Sequence, residues 1–182
     1  ERNLDSDLCL ALALHGRALF REGPSLKLLV MSATMDGAAI AKLLGNAPIV
    51  TSSGRQFPVA THYGAAHQLR DSIIQPAIST VLQALREQTG SILVFLPGQG
   101  EINAVARGLA DALKSHGEHQ VQIVPLYGGL SLERQQQAIL PAPAGTRKIV
   151  LSTNLAETSL TIEGITVVVD SGLVREALFD PT

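Results

Sequence analysis

Three short runs in this chain are apolar without alternation: residues 92–96 (ILVFL), 149–151 (IVL) and 167–169 (VVV). A strand with one wet face alternates apolar and polar residues, whereas an unbroken β-branched run needs cover on both faces. Between and around these runs lie segments of helical periodicity. They predict helices over 4–20, 35–44, 68–87, 101–114 and 132–139. Strands are predicted over 26–31, 48–51, 92–96, 121–126, 148–152 and 166–170. The segment 57–63 holds Pro58 and reads as an edge or crossover. Strand and helix alternate through the second half, which gives an α/β fold with a parallel sheet and helices on both faces. A composition shift near Ser53-Gly54 divides the chain into regions 1–53 and 54–182.

Composition narrows the partners. With 46% hydrophobic residues the chain can bury a core, and with only 3% aromatics and no Trp that core is aliphatic. The formal net charge of −2 excludes retention of a polynucleotide by overall charge. Local arginines, hydroxyls and backbone amides would have to hold it. Cys9 is the single cysteine, so no intrachain disulfide forms, which fits a reducing cytoplasm. No run reaches membrane-spanning length, so no membrane partner is expected. The first residue is Glu1 rather than Met and the chain stops at Pro181-Thr182. Both ends read as boundaries within a longer protein.

In parallel α/β sheets, ligands bind beyond the carboxyl ends of the strands. Those ends are Pro97-Gly98-Gln99-Gly100, Tyr127-Gly128-Gly129, Ser152-Thr153-Asn154 and Asp170-Ser171-Gly172, each small or polar. Gly98-x-Gly100 after a strand opens like a dinucleotide fingerprint, but Asn103 stands where its third glycine belongs. No acid closes the next strand either. No GxxxxGK[ST] occurs, so no phosphate-binding loop of that kind is present. His116 and His119 sit near metal-ligand spacing without further ligands, and they read as a polar turn, not a metal site. The densest polar stretch is TNLAETSLTIEGI, residues 153–165, expected as one loop on the rim. Its hydroxyls suit phosphate oxygens and Glu163 suits ribose hydroxyls. Asn154-x-x-Glu157 also has the form of a helix capping box, and both readings stand.

That stretch, followed by VVVDSG, resembles motif V of the DEAH-box ATP-dependent RNA helicases. Glu1-Arg2 resembles the pair after that family's DExH box, and Ser32-Ala33-Thr34 resembles motif III. GRQFPV at 54–59 resembles the entry to the second RecA-like domain, VFLPGQGEI resembles motif IV, and LYGGLSLERQQQAILPAP the block after it. The wording is closest to the bacterial HrpB-type members. The resemblance implies the end of a first RecA-like lobe over 1–53 and most of a second over 54–182. It implies ATP or another NTP with Mg²⁺ as cofactor of the complete protein, with none held tightly by these 182 residues, single-stranded RNA as partner, and a parent enzyme that couples NTP hydrolysis to unwinding.

Residue by residue, the resemblance makes Ser32 and Thr34 the link between nucleotide state and strand separation, with an ordinary strand-end turn as the alternative. Thr153, Asn154, Gly98, Gly128 and Gly129 become RNA-backbone contacts, against plain capping and turn roles. Ser159, Thr161 and Glu163 face the nucleotide. Arg55 either reaches RNA or braces the domain junction. Many relatives carry an aromatic on the adenine where Leu140 stands, so base selectivity is weakened here. Without a phosphate-binding loop, the acidic box or the arginine-bearing motif VI, the 182-residue chain is expected to show no ATPase. The bare strand of the first region is expected to drive self-association, or to lie against the second region in a non-native way. A helicase-like module without chemistry, binding RNA or docking a protein, is the alternative function.

Overall fold

Strands β1 (Ser91–Phe95), β2 (Val121–Leu126), β3 (Arg147–Ser152) and β4 (Ile165–Asp170) of the computed structural model form one sheet, ordered β2-β3-β1-β4 and parallel throughout. The structure describes residues 4–19, 26–32, 37–52, 54, 57–64, 68, 71–116, 120–154, 156 and 161–175. The chain divides into two compact units, Glu1–Ala60 and Thr61–Thr182. The sheet belongs to the second.

In the first unit, α1 (Leu4–Leu19) carries Asp5 and Asp7 in its first turn and Arg17 in its last, charges that complement the helix dipole. α2 (Gly37–Leu43) is short and buries none of its residues. Neither of the strands expected over 26–31 and 48–51 forms. Leu29 and Met31 are each 81% exposed and Val50 93%. A strand exists only where a neighbour takes its N–H and C=O groups, and among the described residues of this unit there is none. The segment 57–64 likewise joins no ladder.

The second unit is a three-layer sandwich. α3 (Ile74–Glu87) and α4 (Gln99–His116) cover one face of the sheet. Ala77, Ile78 and Val81 meet Ile102, Val105 and Leu109 over Ile92, Val94, Ile149 and Leu151. α5 (Leu132–Ile139) covers part of the other face, where Ala138 joins Leu93, Leu126, Val150, Ala156 and Ile162. Each large side chain so buried stabilises the unit by about 1.5–3 kcal/mol relative to exposure.

Helix α3 begins at Ile74, not at 68 as periodicity suggests. Pro76 has no N–H and its ring clashes with the carbonyl four residues back, so the helix can hold it only in its first turn. Strands β1 and β3 are nearly fully buried, as their composition requires. β4 departs from that expectation: it lies at the sheet edge with alternating burial, and Val168 is 57% exposed. Val167 and Val169 pack toward α3 and α4, while α5 lies over the β2–β3 side and leaves Val168 uncovered.

Two adjacent cations at the start of β3 tie helix ends on opposite faces. Arg147 donates from Nε to the Gly90 carbonyl and from Nη1 to the Leu85 carbonyl, both at 2.7 Å. It thereby closes the C-terminus of α3. Lys148, 3% exposed, donates from Nζ to the carbonyls of Gln137 (3.2 Å), Ala138 (3.1 Å) and Leu140 at the end of α5.

Candidate functional site

The carboxyl ends of all four strands share one rim, because every strand points the same way. The ladder runs one residue past the strands there. Leu96 N–H donates to Ser152 O (2.8 Å), Thr153 N–H to Leu126 O (3.4 Å) and Ser171 N–H to Phe95 O (3.2 Å). Gln99 Nε2 donates to the Tyr127 hydroxyl at 2.9 Å. Since β3 lies between β1 and β2, that bond ties the turns on either side of the β3 end. Gly128 and Gly129 are exposed, and a Cβ on Gly128 would meet nothing within 4 Å. Thr153 is half-buried and Asn154 exposed. Ala156 N–H donates to Thr153 O at 3.4 Å. The rim therefore gathers Thr153, Asn154, Gly98, Gly128 and Gly129, the five described residues read as RNA contacts.

Gly98 differs from the other two glycines. It is buried, and a Cβ there would lie 3.0 Å from Glu101 Oε2 and 3.4 Å from Arg175 Nη1. Both atoms are the ends of flexible side chains that can give by a few tenths of an ångström, so this crowding does not by itself demand glycine. Glu101 and Arg175 form an ion pair at 3.1 Å, at the edge of a cleft of about 300 Å³ that also borders Asp71, Pro97 and Leu173. Sequence reasoning missed this pair, since 74 positions separate its members. The spacing of small rim residues was its only trace.

Leu140, Thr161 and Glu163, the described residues read as nucleotide contacts, are elsewhere. α5 leaves the rim after β2 and runs back, so Leu140, its C-cap, sits toward the opposite end of the sheet. Thr161 and Glu163 lie just before β4 begins, at that same opposite end. A six-residue strand separates the two ends by about 20 Å. This corrects the expectation that residues 153–165 form one rim loop: β3 and β4 are parallel, so their connection must cross the sheet from end to end. Ile162 and Ala138 share the apolar cluster on the α5 face. That anchors exposed Thr161 and Glu163 on the same face as Leu140, itself 59% exposed.

Ser32 is exposed in the first unit. Thr34, Arg55 and Ser159, with residues 117–119 of the histidine pair, lie outside the described residues. Among the described residues no group of three or more His, Cys, Asp and Glu comes together to hold a metal. No described helix is long and apolar enough to cross a membrane.

Residues 72–180, more than half of the chain, match the helicase conserved C-terminal domain. The chain belongs to that family. It is 50% identical over its whole length to the Escherichia coli (strain K12) ATP-dependent RNA helicase HrpB, of which it spans 22%. It is 42% identical to the pre-mRNA-splicing factor ATP-dependent RNA helicase prp22 of Schizosaccharomyces pombe, of which it spans 15%. Two crystal structures of E. coli HrpB, described as a DExH-box NTPase and a DEAH/RHA helicase, superpose with TM-scores of 0.78 and 0.83 at 47% identity. They cover 99% of this chain and about a fifth of theirs. The sequence is thus of the HrpB-type DEAH helicases, and the parallel sheet with its helices is a RecA-like helicase C-terminal lobe. The chain spans about a fifth or less of the length of these relatives.

Proposed function

We propose that this chain carries the end of the first motor lobe and most of the second of an ATP-dependent RNA helicase, the second lobe holding two ligands at opposite ends of one sheet. A single RNA strand lies along the rim, its sugar–phosphate backbone held by Thr153, Asn154 and the amides of the glycine turns. The observation that carries this reading is the rim itself: four parallel strand ends finish in small or polar residues, with Gly128 open to close approach. Backbone amides and hydroxyls bind phosphate without net positive charge, which suits a chain of net charge −2.

At the other end, Leu140 offers an apolar surface for a base and Glu163 a carboxylate for ribose hydroxyls. These residues fit a nucleoside. None of them supplies a cation or a metal-binding acid for the triphosphate, and phosphoryl transfer depends on both. Ser32 and Thr34 serve the coupling of nucleotide state to strand separation, Ser159 and Thr161 the phosphate side of the nucleotide, and Arg55 the RNA or the domain junction. Bound nucleotide with Mg²⁺ supplies the free energy of hydrolysis that drives movement along RNA in the complete enzyme.

The test is fluorescence anisotropy of a labelled single-stranded RNA against the chain, with ATP turnover measured in parallel. RNA binding is expected to weaken on Thr153→Ala and Asn154→Ala. Its dependence on salt is expected to be shallow, with a log–log slope no steeper than about −1.5, equivalent to two ionic contacts. The 182-residue chain itself is expected to turn over no ATP. Undiminished RNA affinity in the Thr153 and Asn154 variants would remove the rim reading. An RNA-stimulated ATPase in the longer parent protein separates a motor from a helicase-like docking module, which would bind without turnover.

A further inference from the structure

The end of α5 has a shortage of hydrogen-bond donors built into its sequence. A helix leaves its last carbonyls without intrahelical partners, and the backbone N–H groups that follow usually satisfy them. Here the following residues are Leu140-Pro141-Ala142-Pro143, and the two prolines carry no N–H. Leu140 N–H closes the last helical bond to Gln136 O at 3.0 Å. The carbonyls of Gln137, Ala138 and Leu140 would otherwise be left over. The ammonium of Lys148 meets all three.

An ammonium has three donors and no acceptor, so the match of donors to carbonyls is complete. Burial pushes this group below the ordinary lysine value of 10.5, because withdrawal from water penalises the charged form. Beyond this anchor the loop closes on itself, with Thr146 N–H donating to Pro143 O at 2.9 Å and Gly145 at φ +78°. Leu140 is therefore an exposed apolar side chain whose own carbonyl is bound from beneath by a buried lysine.

We infer that Lys148 is a positioning residue of the nucleoside subsite: it fixes the Leu140-Pro141 turn as a preset surface for the base, without touching the nucleotide. The inference rests on the reading of Leu140 as the base contact. A preset surface binds more tightly than one that must be ordered on contact. The ligand class is a nucleotide, whose flat base lies on the fixed apolar platform.

The experiment is a double-mutant cycle between Leu140→Phe and Lys148→Met, read by anisotropy of a fluorescent adenine nucleotide on the full chain. Amide hydrogen exchange is followed at Leu140 and Thr153. In the native background Leu140→Phe is expected to tighten binding by roughly 2- to 12-fold, the range of one aromatic stacking contact. In the Lys148→Met background that gain is expected to vanish, with exchange at Leu140 accelerated and at Thr153 unchanged. A gain from Leu140→Phe that persists in Lys148→Met overturns the positioning role and leaves the base contact standing. No gain in the native background overturns both. If Lys148→Met does not fold, Lys148→Arg is scored by the same criteria. It keeps the charge, but its planar fork cannot aim three hydrogens at three converging carbonyls.

Discussion

Gly90 combines two separate steric demands, and replacing it with alanine exposes both. Its φ of +80° lies in the left-handed region, where an L side chain costs about 1–2 kcal/mol. A Cβ there would also lie 2.8 Å from Thr166 Cγ2, and closer still to Thr166 Oγ1. Thr166 cannot easily retreat, because its hydroxyl donates to the Thr89 carbonyl. Crowding of that kind costs about 1–3 kcal/mol. Lost freedom in the unfolded chain offsets about 0.4–1 kcal/mol. The net expectation for Gly90→Ala is a loss of about 2–4 kcal/mol.

Gly145 provides the control. Its φ is +78°, yet nothing stands within 4 Å of its Cβ position, so Gly145→Ala should cost only about 0.5–1.5 kcal/mol. Urea denaturation followed by far-ultraviolet circular dichroism measures both. Thr166→Ala introduced beside Gly90→Ala should recover part of the loss. Equal midpoints for the two glycine variants, within about 0.5 kcal/mol, would refute the assignment of the larger cost to Thr166.

Arg147→Met removes two charge-assisted bonds that close α3 and should cost about 2–4 kcal/mol by the same denaturation assay. Lys148 has a lowered pKa in the folded chain, so the unfolded chain holds this proton more tightly. Its contribution makes stability rise with pH between the folded pKa and 10.5 and stay level below that window. Denaturation followed through alkaline pH toward 10.5 should show this rise in the native chain and lack it in Lys148→Met. Tyr127→Phe breaks the bond to Gln99 at the rim, with an expected stability loss under about 1 kcal/mol but a measurable drop in RNA affinity. The exposed apolar residues of the first unit, Leu29, Met31 and Val50, should make the chain self-associate with rising concentration. A monodisperse monomer by light scattering would count against that.

Much of the sheet was legible because its signals are local. The runs at 92–96 and 149–151 announced burial on both faces, and the periods of α4 and α5 placed those helices within two residues. Pro76 could have fixed the start of α3, since its effect on the residue four before it is purely steric. Pairing is not local, which is why 26–31 and 48–51 looked like strands and are not. The edge position of β4 was hidden for the same reason: VVV reads alike whether or not a layer covers it.

The site was legible as a set of residues but not as a shape. Thr153 and Glu163 are ten positions apart and looked like neighbours until the parallel order of β3 and β4 sent their connection across the sheet. Lys148 stood in the sequence only as the first residue of a strand. Nothing before the structure linked it to the two prolines whose missing donors it replaces. Glu101 and Arg175 needed the same long-range information.

The segment leaving β3 sets foot at one extremity of the lobe and lands at the other. Were two ligands to grip those feet, any effect of one on the affinity of the other would be returned by an equal factor.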